Sequence, residues 1–260
     1  MRLDAKGIRY IEGEELRVLT AVETGSRNHD VVPVSLIRSL SKLHGSGINK
    51  FISDLAKKNL ITKVPNSKYD GYKLTYGGYD YLALKTLSKR GSVVSVGSQI
   101  GVGKESDIYV VMQANKEECV LKIHRLGRMS FRNVKNKRDY LKNKKSSPSW
   151  MYMSRLSAIK EFAFMKVLHE HGFPVPTPID QNRHCILMSR LDATPLENVK
   201  VVGDIGQLYS DLMDLIVKLA NYGLIHCDYN EFNILITKDQ QPILIDFPQM
   251  VSTDHKDAEL

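Results

Sequence analysis

Asp228 and Asn233 stand five residues apart in "HCDYNEFNILI", directly ahead of a run of branched and leucine side chains. A carboxylate can accept a proton or orient a nucleophile. An amide oxygen beside a second carboxylate can hold a hard cation. A turn before a strand also favours Asp and Asn, so this segment by itself leaves both readings open. The second carboxylate is Asp246, at the end of "PILID". With "KDQQ" taken as a four-residue loop, Thr237 faces Pro242 and the register sets Asn233 opposite Asp246, about 5 Å apart at Cα. Oxygen ligands with vacant positions suit Mg2+ bound together with phosphates.

Three further segments carry compatible chemistry. "GVGKESDIYVV" offers Gly101, Gly103, Lys104 and Ser106 between two strands. Glycines let backbone N–H groups approach phosphate oxygens, and the lysine and serine add a charge and a hydroxyl. Gly-rich hairpins are common, and the spacing is not that of a Walker motif. "CVLKIHR" sets Lys122 among apolar residues, and "AIKEFAF" sets Glu161 in the middle of a helical pattern. Each charge is costly to bury alone, and the pair would offset both costs while aiming the ammonium at a phosphate. A lone strand lysine also serves simply as an exposed edge gatekeeper.

These residues need elements to position them. The first 92 residues read as helices and a hairpin. The pattern predicts a helix in "ELRVLTAVETG" closed by Gly25, and another from Pro33 to Gly45. A third, "GINKFISDLAKKNL", carries Ile48, Phe51, Ile52 and Leu55 on one face. "LITKV" and "YKLTY" then form a hairpin, and "GGYDYLALKTLSKRG" closes the unit, a plan that resembles a winged helix. From residue 93 the pattern becomes strand, Gly-rich turn, strand, hairpin, strand. Two long helices follow, ended by Gly172 and Gly223, with the strand "HCILMSRL" between them and the final ribbon after them.

Net charge is +8 and unevenly spread. Residues 1–92 hold 16 Lys/Arg against 9 Asp/Glu, residues 93–150 hold 12 against 5, and residues 151–260 hold 9 against 15. Nine of the basic residues fall between Arg125 and Lys145, with one acid and no sustained apolar face, so this stretch reads as mobile when unbound. The asymmetry points to an anionic partner for the front of the molecule, although a solvated basic face has the same composition. No uncharged apolar run approaches the ~18 residues of a membrane span. The N-terminus is too charged for a secretory signal. Cys119, Cys185 and Cys227 lack metal-ligand spacing, which favours a reducing compartment.

The Gly-rich turn, strand lysine, helix glutamate, Asp-x4-Asn and Asp-Phe follow one another in the order found in protein kinases. "DFP" stands in place of Asp-Phe-Gly, "HCD" in place of His-Arg-Asp, and no Ala-Pro-Glu follows. With "GVGKESDIY", "IHRLGRMSFRNVKNKRDY", "SRLSAIKEFAFM", "IDFPQMVST" and the winged helix with "DYLALKTL", the chain resembles the RIO family of atypical kinases, in its second subfamily. The resemblance implies an α+β chain: a winged helix over residues 1–92 and a compact bilobal kinase-like domain over 93–260. The latter would have an N-lobe at 93–187, a hinge at 188–191 and a partial C-lobe at 192–260. The end of the chain 14 residues after Asp246 gives the expectation of a truncated C-lobe.

The resemblance also implies ATP and Mg2+ as cofactors. Lys122 would contact phosphates and pair with Glu161. Gly101, Gly103, Lys104 and Ser106 would form the phosphate loop, and Met188, Ser189 and Leu191 the adenine hinge. Asp228 would be the catalytic acid/base, and Asn233 and Asp246 would hold Mg2+, with Asp246 also the site of an aspartyl-phosphate. Cys227 stands where the family commonly has Gly. The implied role is that of a cytoplasmic serine/threonine kinase or ATPase in maturation of the small (40S) ribosomal subunit precursor and 18S rRNA processing. Ribosomal RNA would meet the basic winged helix and the 125–145 stretch, with no membrane involved. The alternative is a nucleotide-gated, RNA-binding assembly factor without useful catalysis.

Overall fold

The computed structural model describes residues 3–43, 47–65, 69–128 and 149–256, together with residue 258. Most of the basic stretch, residues 129–148, and Gly45 lie outside the described residues. The chain divides into two compact units, 1–90 and 91–260. No helix among the described residues is long and apolar enough to cross a membrane.

The first unit runs α1 (Gly13–Gly25), β1 (Val32–Pro33), α2 (Val34–Ser41), α3 (Gly47–Lys57), β2 (Ile61–Lys63), β3 (Gly71–Leu74) and α4 (Tyr76–Lys89). Helices α1–α3 with an antiparallel sheet of order β1-β3-β2 give the winged-helix plan, and α4 follows it. Val18, Leu19 and Val22 of α1 meet Ile37, Ile52 and Leu55 in its core. Glu15 is buried as well; it caps α1 through the Glu12 N–H at 3.0 Å and takes Lys58 Nζ at 2.6 Å. Gly78 admits no side chain, since a Cβ there would lie 2.1 Å from the Leu60 carbonyl oxygen. The second helix stops at Ser41, earlier than Gly45, because Lys42 turns left-handed at φ 52° and Arg17 binds the carbonyls of Ser41 and Lys42.

The second unit begins with five antiparallel strands: β4 (Ser95–Val102), β5 (Ser106–Met112), β6 (Glu118–His124), β7 (Pro178–Asn182) and β8 (Cys185–Ser189). Their order is β4-β5-β6-β8-β7. Gly101 lies inside β4, paired with Ile108, so the turn itself spans only residues 103–105. α5 (Trp150–Glu170), capped by the Ser149 side chain, packs on this sheet. Then come β9 (Ala193–Pro195), α6 (Ile205–Asn221), β10 (Leu224–Ile225), β11 (Ile234–Thr237), β12 (Pro242–Leu244) and β13 (Val251–Ser252). The final ribbon gains a third strand, giving the order β12-β11-β9, and β10 pairs with β13. One core joins α5 and β8 to the ribbon and α6, through Met165, Ile186, Leu215, Ile236, Leu244 and Phe247.

The ribbon register differs from the four-residue-loop expectation. Ile236 pairs with Pro242 and Ile234 with Leu244. The loop is therefore three residues, Lys238–Gln240, closed by Gln240 at φ 60°, the conformation such loops require. Asn233 consequently faces Ile245, whose N–H reaches the Asn233 carbonyl at 3.0 Å, and does not face Asp246.

Candidate active site

Lys122 and His124 alternate with the fully buried Leu121 and Ile123 along β6, so they share the face turned to α5. Lys122 Nζ donates to Glu161 Oε1 at 2.7 Å and to Asp246 Oδ1 at 2.7 Å. Burial alone would lower the lysine's pKa, but the carboxylates of Asp246 and Glu161 outweigh it and hold the ammonium above its usual value. Burial works against the Glu161 carboxylate in turn, and the Lys122 charge overcomes it, drawing the group down to about 2. His124 Nε2 lies 2.8 Å from Glu161 Oε2 without the alignment of a hydrogen bond.

Asp246 follows β12 at φ 69°, a left-handed position that an aspartate tolerates better than most residues. Phe247, fully buried, anchors the next residue. The Asp246 side chain is 37% exposed, so its second oxygen is within reach of a ligand. His226 is buried and donates from Nε2 to the Ile245 carbonyl at 3.1 Å, which fixes the backbone just before Asp246. Its burial lowers the imidazole pKa and favours the neutral ring.

Asp228 is held at three points. Oδ1 accepts from Asn230 Nδ2 at 3.0 Å and Oδ2 from Gln249 Nε2 at 3.0 Å. Its carbonyl accepts from Asn233 Nδ2 at 2.9 Å, which turns the Asn233 amide oxygen away from that carbonyl. Cys227, one residue earlier, stands at φ 63°. Tyr229 anchors the loop to α6 through the Leu212 carbonyl at 2.9 Å, and its burial pushes the phenol up to about 12.

Around the glycine turn, Gly103 N–H donates to the Ser106 carbonyl at 2.8 Å, Lys104 is exposed and Ser106 pairs with His124. At the hinge, Met188 is buried in β8 and Leu191 is half-buried. Ser189 is committed to Thr177, its N–H to the carbonyl and its hydroxyl to the N–H, both at 2.9 Å, so its amide is not open to adenine. Two cations counted in the basic stretch are also committed. Arg125 is buried against Asp107, and Arg128 pairs with the same carboxylate. The structure thus joins Lys122, Glu161 and Asp246 in one cluster and Asp228 and Asn233 in another. It adds His124, Gln249 and Asp107, which carry no sequence signal beyond their polarity, and gives the histidine of "HCD", His226, a structural task. A hollow of about 340 Å³ between Asp192, Asn198, Lys200 and Lys238 includes none of these residues.

The site fits a hard cation in company with phosphate. Among the described residues no three His, Cys, Asp or Glu side chains gather into a metal cage. Asn233 and Asp246 offer two oxygen ligands, and Mg2+ commonly takes few protein ligands and completes its shell from phosphates and water.

Comparison with known proteins gives the lineage. Residues 107–260 match the RIO domain, and residues 8–90 match the Rio2 N-terminal domain. The serine/threonine-protein kinase rio2 of Schizosaccharomyces pombe is 59% identical over 259 residues, covering 100% of this chain and 75% of that protein. Serine/threonine-protein kinase RIO2 of Saccharomyces cerevisiae is 52% identical, covering 100% of this chain and 63% of the relative. The crystal structure of the Rio2 kinase–ADP/Mg2+–phosphoaspartate complex from Chaetomium thermophilum superposes with a TM-score of 0.87. It is 56% identical, over 99% of this chain and 79% of that one. The chain belongs to the RIO kinase family, on its Rio2 branch.

Proposed function

We propose that the chain is an atypical serine/threonine kinase or ATPase that binds ATP with Mg2+ and transfers its terminal phosphoryl group. The observation that carries this reading is Lys122 seated between Glu161 and Asp246 at 2.7 Å each. That arrangement places one ammonium beside both the carboxylate that orients it and the carboxylate that would hold the metal. Bound Mg2+ would neutralise charge on the phosphates. Asn233 and Asp246 supply its protein oxygens, and Lys122 binds the phosphate oxygens. Asp228, fixed by Asn230 and Gln249, orients a hydroxyl acceptor or the hydrolytic water and receives its proton. The C. thermophilum relative was crystallised as an ADP/Mg2+–phosphoaspartate complex. By the same chemistry the Asp246 carboxylate oxygen attacks the terminal phosphorus as the bond to ADP breaks, and water later releases the phosphate.

The cellular role proposed is late cytoplasmic maturation of the small ribosomal subunit precursor, including 18S rRNA processing. The positive balance of residues 1–150 supports ribosomal RNA as the partner. A pure assembly factor, gated by nucleotide without turnover, differs in one measurement, single-turnover hydrolysis of Mg·ATP. Wild type should hydrolyse while Asp246→Ala neither hydrolyses nor binds Mg·ATP tightly. Unchanged binding by Asp246→Ala would exclude the metal site, and absent hydrolysis in wild type would leave the assembly factor. Replacing Lys142, Lys144 and Lys145 with Ala should flatten the salt dependence of rRNA binding, and an unchanged slope would remove that partner surface.

A further inference from the structure

Asp107 is the second residue of β5, just after the glycine turn, and is wholly buried. A carboxylate in that position is costly unless fully paired. It receives Arg125 Nε at 3.0 Å, Arg128 Nη1 at 2.8 Å and Arg128 Nη2 at 2.7 Å. The two bonds from Arg128 form a planar fork on the carboxylate, the strongest geometry available to such a pair. Arg125 is itself buried and completes the core. Arg128 differs, because its side chain remains 26% exposed and Nη1 also donates to the Gly103 carbonyl at 3.2 Å. The Glu105 carbonyl is held in the same way, by the Arg125 backbone N–H at 2.5 Å.

Two carbonyls of one short turn are therefore tied to the segment that follows β6. A trans peptide points its N–H opposite to its C=O. Holding the Gly103 carbonyl against Arg128 thus directs the Lys104 N–H to the other side, and the Glu105 carbonyl does the same for the Ser106 N–H. A turn whose successive N–H groups face one way is a ready site for anionic oxygens. We infer that Arg128, braced by Asp107, is a positioning residue that orients the backbone amides of Lys104 and Ser106 toward the phosphates of the nucleotide.

The inference rests on the glycine turn being the phosphate loop, and the test separates the two claims. Binding of Mg·ATP, Mg·ADP and adenosine to the full chain is measured by calorimetry for wild type, Arg128→Gln and Arg128→Lys. Arg128→Gln should bind Mg·ATP about tenfold more weakly, the scale of a lost charge-assisted hydrogen bond, and adenosine as tightly as wild type. Arg128→Lys should recover part of the loss, since a lysine reaches one acceptor but cannot fork. A wild-type preference for ATP over adenosine that survives intact in Arg128→Gln overturns the positioning role and leaves the phosphate loop standing. Equal weakening of adenosine and ATP also overturns it, by making the effect a general loss of structure. A wild type that binds ATP no better than adenosine removes the phosphate loop and the inference together. The Trp150 fluorescence melt of each variant, in the same unit, shows that it is folded.

Discussion

Replacing Lys122 with Met should cost more stability than any surface change, and with a distinctive pH signature. Glu161 is 1% exposed, and the Lys122 ammonium is its principal counter-charge at 2.7 Å. The drop of its carboxyl from the usual 4.5 to about 2 corresponds to about 3 kcal/mol in favour of the folded state. Removing one partner of a buried pair costs about 3–5 kcal/mol on an independent scale. A loss of about 3 kcal/mol at pH 7 is expected for Lys122→Met. Because the folded carboxyl titrates below the unfolded one, the wild-type contribution is complete above about pH 4.5 and disappears as pH falls toward about 2. In the variant, burial without the cation pushes the same carboxyl upward, so acidification should help rather than harm. The double variant Lys122→Met/Glu161→Met leaves no orphan charge at either position and should regain most of the loss. Urea unfolding followed by Trp150, the chain's single tryptophan, reports on the second unit alone. A single variant within about 1 kcal/mol of wild type, or a double variant no better than the single, would refute the reasoning.

Asp228→Asn should keep Mg·ATP affinity while single-turnover hydrolysis falls by about 10²–10⁴-fold. Gln249→Leu should lower turnover about tenfold in the wild-type background and do nothing further in Asp228→Asn, because it acts through that carboxylate. Cys227→Gly should stabilise the second unit by relieving a left-handed residue, and Cys227→Val should destabilise it by about 1–2 kcal/mol, both read from thermal melts. Glu15→Ala removes both a helix cap and a buried partner of Lys58. It should cost the first unit about 2 kcal/mol by circular dichroism and leave the Trp150 transition in place.

The pairing of Lys122 with Glu161 was legible because a lysine inside an apolar, period-two run needs a buried counter-charge, and the chain offers a glutamate in a helical apolar context. The winged helix was legible from helix spacing and turn residues. The ribbon register was not, because the left-handed loop residue is Gln240, and glutamine does not advertise that conformation as Gly or Asn does. Lys42 hid the end of α2 in the same way, and Gly45 supplied a more conventional stop. β9, β10 and β13, two or three residues each, are too short to carry a period. Arg125 looked like one more solvated cation because nothing local reveals that its partner, Asp107, lies 18 residues earlier, on β5.

The β10–β13 pairing has a consequence for how the site comes apart. Ile225 faces Val251 and Leu224 faces Ser252, so the backbone from 226 to 250 is a loop closed at a narrow neck. Asp228, Asn233, Asp246 and Gln249 all lie inside that loop, whereas Lys122 and Glu161 lie outside it. Closing the neck removes most of the chain entropy that holding these four residues together would otherwise demand. They should therefore be gained and lost together, as one cooperative segment that can open while the five-stranded sheet stays folded. Asp228 and Asp246 are ordered by the ribbon, while the lysine and its glutamate partner are ordered by the sheet and α5. Asp246 Oδ1 is the atom at which these two separately folding parts of the site meet.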